Sequence, residues 1–344
     1  MSTLRAWVSW PAFAIVLFVL PLVLTDPHAR LLLILIGMYG LLAMGWNLTL
    51  GFAGIFNFAQ IGFFGIGAYT TGILATRTGV DPWLALPISA GCAALASLVA
   101  FLPVLRLRGI YVGLATYVFS QLCVYLVLGQ AKLTGGANGI VGIPRLSLGD
   151  TSLRADGRIG YYYLAAVLLF AVTVLVRVLV RSTLGMSLLA LRDNEALATS
   201  RGVSRVRQHL IVFMIGAAVA GVAGSFNAFL NGVVSTDVFG FGYLTLLLSM
   251  IFLGGSGSVY GPIAGAVVVT LVSDTFQDAG AWRDIVIAML ILVVLWVAPK
   301  GLAGLSRQVV TTLGGRRSGG GAPAPHTPSL DSDHVHPTTI QETQ

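Results

Sequence analysis

The residues able to do chemistry in this chain are few, and most are uncharged. Gly254-Gly255-Ser256-Gly257 has the glycine-flanked serine of a nucleophile, but a serine hydroxyl needs a positioned base to lose its proton. Beyond Ser256 the only histidines are His326, His334 and His336, in a polar tail, and His209 precedes it at a helix end. The segment therefore reads as a glycine-rich helix break, and the three tail histidines, without a fold around them, as no metal site. No GxxxxGK[ST] loop, HExxH or CxxC occurs. The chain thus hydrolyses no nucleotide in the usual way and is not expected to be an enzyme or to need a metal or cofactor. Asn47, Asn57 and Gln60, interleaved with Gly51 and Gly54, remain, together with the charged cluster Arg192, Asp193, Glu195 and Arg201. Uncharged amides beside flexible backbone suit weak binding of a neutral solute, and an exposed charged helix suits docking.

The elements that hold these residues are membrane helices. Of 344 residues 56% are hydrophobic and 10% charged, with mean hydropathy +0.88, too apolar for a soluble surface. Charge-free stretches run 6–25, 31–76, 82–105, 109–131, 159–176, 208–236, 238–273 and 285–299, and one crossing takes about 20 apolar residues. No ten-residue alternation marks a barrel, so the fold class is all-α, a polytopic bundle. After Arg5 the stretch to Leu24 is followed by Thr-Asp-Pro-His rather than a cleavage site, which makes it a retained first helix. Cys92 and Cys123 lie inside apolar segments and behave as small core residues.

Charge sets the orientation. The net charge of +7 comes from basic residues scattered between apolar segments, an argument against a nucleic-acid face. Arg181, Arg192, Arg201, Arg205 and Arg207 mark 181–208 as cytoplasmic. Parity then gives about ten helices with both termini inside, provided that 31–76 crosses twice and 238–273 crosses twice about a break at GGSGSVYGP. Arg30, Arg77, Lys132, Arg145, Arg154, Arg158 and Arg283 fall outside and the remainder of the 20 Lys and Arg inside. Residues 1–308 form the membrane domain, with 309–344 a disordered cytoplasmic tail.

Within NLTLGFAGIFNFAQIGFFGIGAYTTG (47–72), Gly62, Gly65, Ala68 and Gly72 share one helical face, a stripe for helix packing. Ahead of them Asn47, Asn57 and Gln60 suit an interrupted helix lining a cavity. Gly254, Gly255 and Ser256 form a second break, and two breaks in corresponding halves point to a path between inverted repeats. In the docking loop one short helix is expected from Met186 to Arg201, ended by Gly202.

NLTLGFAGIFNFAQIGFFGIGAY, LRGIYVGLATYVF, LTGGANGI, RSTLGMSLLALRDNEALATSRGV, GGSGSVYGPIAGA and APKGLAGL, in order through 30–305, resemble the permeases of branched-chain amino acid ABC importers. LRGIY, TGGANGI and PKGL resemble the LivM-type subunit more than its LivH-type partner. The resemblance implies a bacterial inner-membrane subunit with the ten-helix core of type II importers. Its implied partners are a homologous LivH-type permease, two cytoplasmic ATP-binding subunits, an extracytoplasmic substrate-binding protein and membrane lipid. It implies alternating access driven by those ATPases, with Arg192, Asp193, Glu195, Arg201 and Gly202 in the coupling helix and Asn47, Asn57, Gln60, Gly254, Gly255 and Ser256 beside the translocation path. The importer pattern Glu-Ala-Ala with a glycine six residues after the Glu is approximated by Glu195-Ala196-Leu197 and Gly202. A facilitator working without ATP is the alternative.

Overall fold

The computed structural model describes residues 17–19, 21, 26–148, 151–153, 155–277, 281–297, 301, 302 and 304. The tail at 309–344 and most of the first expected helix lie outside them. Helices dominate: α1 (Pro27–Asn47), α2 (Gln60–Ile73), α3 (Pro82–Arg106), α4 (Ile110–Gly129), α5 (Ala155–Arg181), α6 (Thr183–Asp193), α7 (Glu195–Ser200), α8 (Arg205–Asn231), α9 (Phe241–Gly254), α10 (Gly261–Thr275) and α11 (Ala281–Val297). Among the described residues five helices are long and apolar enough to cross a membrane, over 27–52, 82–106, 110–129, 157–181 and 205–231. At 14 and 15 residues, α9 and α10 are shorter.

Local sequence explains the starts. Asp26 accepts a bond from the Ala29 amide and Pro27 opens α1, where a missing N–H costs nothing. Asp81 and Pro82 repeat the device at α3. The docking loop departs from expectation. Instead of one helix from Met186, α6 begins at Thr183, and α7 is separated from it by Asn194 in extended backbone (φ −154°, ψ 97°). The Asn194 carboxamide accepts from the Leu197 amide, and an Asn that caps a new helix competes with continuation of the old one. Gly202, at φ +86°, follows the end of α7.

The centre of the bundle is α8, which packs along α1, α2 and α3. Glycine permits this: a Cβ on Gly67 of α2 would lie 2.2 Å from the Gly221 carbonyl oxygen, and one on Gly224 2.0 Å from that of Phe64. In a bilayer such close contact supplies the attraction that water supplies elsewhere. Gly67→Leu is expected to force α2 and α8 apart and to cost about 3 kcal/mol, the upper part of the usual range for overpacking. Size-exclusion profile and thermal aggregation in detergent will show it, and a wild-type profile would contradict this packing.

Connections gather at two ends. At one lie 53–59, 107–109, 182–204 and 255–260, tied by Arg108 to Glu195 and by Arg192 to Gly51. Arg106, Arg108, Arg177, Arg181, Arg192, Arg201, Arg205 and Arg207 crowd this basic end, against Asp193 and Glu195. At the other end β1 (Ile140–Val141) pairs antiparallel with β4 (Val233–Val234), and β2 (Ser147–Leu148) with β3 (Thr151–Ser152). There Trp83 Nε1 donates to the Ser147 carbonyl and the Ile143 amide to that of Gly232. Asp26, Asp81, Asp237 and Asp274 lie at that end with Arg30, Arg77, Lys132 and Arg145.

Candidate functional site: a junction of two helix breaks under the docking loop

The first break begins as α1 widens into a π-helical turn over Leu48–Phe52 and runs irregularly to Gln60, with Gly54 at φ +69°. In the second, α9 stops at Gly254 and α10 starts at Gly261, with Gly255 at φ +102° and Gly257 at φ +75°. These left-handed values are open to glycine and strained for other residues. Pro262 sits in the first turn of α10, where its lack of an N–H is harmless.

One side chain joins the two breaks. Asn47 Nδ2 donates to the Ser258 carbonyl at 2.8 Å, and the Gly257 amide donates to Asn47 Oδ1 at 2.9 Å. Asn47 is 1% exposed, while its partners Gly257 and Ser258 are half-buried. Gly51 must be glycine for this approach, since its Cβ would lie 2.4 Å from the Gly257 nitrogen and 2.1 Å from Asn47 Oδ1.

Arg192 of α6 reaches the same junction. Its Nη1 donates to the Gly51 carbonyl at 2.8 Å, and its stem passes over Gly54, where a Cβ would lie 2.7 Å from Arg192 Cγ. A Cβ on Gly257 would come within 3.3 Å of the same Nη1. Nε and Nη2 donate to Asp193 Oδ1, each at 3.3 Å. Glu195 Oε1 sits 3.5 Å from Arg108 Nη2 and 3.4 Å from Arg205 Nη1. Thus the loop is tied to α8 and to the α3–α4 turn by Glu195, and to the breaks by Arg192. Between these ties lies a cavity of about 260 Å³, lined by Phe56, Arg108, Arg192, Glu195, Arg205 and His209 among others. A guanidinium suits this place because its fixed fork spans several acceptors at once. A shift of α6 relative to the membrane helices must therefore pull on both breaks or break the Arg192 bond.

The other expected residues are placed as follows. Asn57 and Gln60 are fully buried. Asn57 Oδ1 accepts from the Ala59 amide and Gln60 Nε2 donates to the Gly216 carbonyl, while Asn57 Nδ2 and Gln60 Oε1 find no protein partner. Gly254 abuts Gly261, and Gly255 lies beneath Gly301. Ser256 is exposed at the tip of the second break, as are Arg201 and Gly202 on the loop. The stripe meets three different elements: Gly62 faces Ser120 of α4, Gly65 the Phe239 ring and Gly72 Ile140 of β1, with Ala68 fully buried. The close helix pairing uses Gly67, Gly221 and Gly224, which the sequence signals as the small-residue run Gly216-Ala217, Ala220-Gly221, Gly224. Arg108, Arg205, Gly257 and Ser258 also enter the junction without having been singled out, because only packing brings them to it.

The branched-chain amino acid transport system / permease component family matches residues 29–295. The high-affinity branched-chain amino acid transport system permease protein LivM of Salmonella typhimurium is 32% identical over 303 residues, covering 82% of this chain and 71% of that one. The LivM protein of Escherichia coli is 31% identical with the same coverage. The LivH permease of Salmonella typhimurium is 27% identical over 289 residues, covering 77% of this chain and 91% of its own. No solved structure matches. With a profile spanning most of the described helices and relatives matched along four-fifths of its length, the chain belongs to the branched-chain amino acid transport system permease component family.

Proposed function

We propose that this chain is the LivM-type membrane subunit of an ATP-binding-cassette importer that moves branched-chain or related amino acids across the inner membrane. It acts beside a LivH-type permease, two cytoplasmic ATP-binding subunits and an extracytoplasmic binding protein. The observation that carries the reading is Arg192 on a loop outside the membrane helices, bonded at 2.8 Å into the meeting point of two helix breaks. A facilitator has no need of such a connection, whereas a pump driven by subunits outside the membrane needs one. In this reading the ten crossings are α1 to α5, α8 to α11 and the segment 6–25. The gathering of arginines at the end bearing α6 and α7 supports a cytoplasmic placement of that end and of both termini.

In this mechanism ATP-driven closure of the partners moves α6 and α7. Arg192 transmits the movement to Gly51, and the Asn47 clip carries it to Gly257 and Ser258, so both breaks change together and the bundle rocks between outward and inward access. The path between the helices need not bind solute tightly when selectivity is supplied by the binding protein. In this reading Asn57, Gln60 and Ser256 stand beside the path, with Asn57 Nδ2 able to donate to, and Gln60 Oε1 to accept from, a protein or solute partner when the helices shift.

The test is reconstitution of the chain with its neighbouring permease, ATPases and binding protein in proteoliposomes. Leucine uptake is expected to need ATP and to be lost when the Walker lysine of the ATPases is replaced. Uptake at an undiminished rate without ATP would turn the assignment to the facilitator.

A further inference from the structure

Away from the junction, at the end opposite the docking loop, α1, α9 and α10 surround a cavity of about 510 Å³, within the range of about 300–1,000 Å³ typical of small-molecule sites. Leu32 and Leu35 of α1 and Leu246 of α9 form an apolar wall. The charged side chains lining it are Asp237 and Asp274. Asp274 Oδ2 lies 3.1 Å from His28 Nε2, and Asp237 Oδ2 accepts from Ser235 Oγ at 2.9 Å, with no lysine or arginine paired to Asp237 among the described residues.

Donors converge from the other side. The N-terminus of α9 opens here with no side-chain cap at Gly240, and the first amides of a helix have no partner within it. Neither Gly240 nor Gly242 carries a side chain over those amides, and a Cβ at Gly242 would meet nothing within 4 Å. Thr270 supplies an independent sign. It is 5% exposed, and its hydroxyl has no partner. The hydroxyls of Thr173, Thr245 and Thr275 each donate to the carbonyl four residues earlier, the usual resort of a helical threonine, and Thr270 lacks that bond.

We propose that this cavity is a low-affinity subsite for the zwitterion of an aliphatic α-amino acid, with the ammonium at Asp237, the carboxylate at the α9 amides and Thr270, and the side chain on the leucine wall. The carboxylate is favoured at a helix N-terminus by the amides and the dipole together. Among the described residues no lysine or arginine lines the cavity, so a second carboxylate on the solute finds no partner there and acidic amino acids are disfavoured. The inference rests on the importer reading for its role as a station on the outer side of the membrane, but not for the binding itself.

The assembled complex in nanodiscs, with Cys92→Ser, Cys123→Ala and Ser273→Cys in this chain, will be labelled with a membrane-impermeant maleimide. Free L-leucine at twice its dissociation constant is expected to slow labelling about threefold. Leucinol, isocaproate and L-glutamate, each lacking one matched feature, are expected to leave it unchanged. Asp237→Asn is expected to abolish protection and Thr270→Val to weaken it. Should Ser273→Cys fail to assemble, Gln277→Cys at the rim of the same cavity serves instead. Equal rates with and without leucine, or a cysteine that never labels, overturn the subsite. ATP-driven uptake in the same complex separates the two readings: uptake without protection removes the subsite alone, and protection without uptake removes the importer assignment alone.

Discussion

Arg192→Ala is expected to cut ATP-driven uptake by about ten- to a hundredfold while the complex still assembles and hydrolyses ATP. A hydrogen bond to a charged group contributes about 1.5–3 kcal/mol, and each 1.4 kcal/mol of lost coupling is about a factor of ten. Of the four charged residues that mark the loop, Arg192 is the one bonded to a helix break, through the Gly51 carbonyl. Asp193 touches Arg192, and Glu195 holds Arg108 and Arg205. Asp193→Ala is therefore expected to have a smaller effect and Glu195→Ala to loosen the loop without severing its tie to Gly51. Arg192→Lys keeps the charge but not the fork, and should recover uptake in part. Uptake and ATPase rates measured side by side decide the matter: wild-type uptake per ATP in Arg192→Ala would remove Arg192 from the transmission path.

The second large effect is expected at Asn47. Asn47→Ala leaves the Gly257 amide and the Ser258 carbonyl without their partner at a half-buried place. A buried group left unpaired costs about 1–3 kcal/mol and partial access of water lowers that for each of the two, so a total loss of about 2–3 kcal/mol is anticipated. Asn47→Leu should be at least as harmful, because Gly51 and Gly257 press against the same amide. Thermal unfolding of the detergent-solubilised chain, with Asn231→Ala as a comparison, measures the difference. Asn231 bonds only Asn227 near the end of α8, so its loss should be minor. An Asn47→Ala protein as stable as the comparison would show that the breaks hold together without the clip.

These two residues also mark where sequence reading reached its limit. Asn47 stood out as an amide in a charge-free run, and two roles were open to it, solute contact or backbone satisfaction. The structure assigns its carboxamide to backbone, that of a segment 210 positions away, a distance in sequence that periodicity cannot bridge. Arg192 stood out as part of an exposed docking helix. Its inward reach to Gly51 depends on Gly54 offering no side chain to block the stem.

The linear chain by itself determined the class of solvent, the helical character, the positions of both breaks and the ending of α7 just ahead of Gly202. Each follows from local composition: apolar length, glycine and proline placement, and capping chemistry act within a few residues. Tertiary structure decided which breaks meet, which glycines carry the α2–α8 contact and how the docking loop is divided and tied. Those outcomes depend on which surfaces come within a hydrogen bond or a van der Waals contact. At Gly67 and Gly221 a single methyl group is enough to forbid the contact, and no local pattern along the chain records that distance.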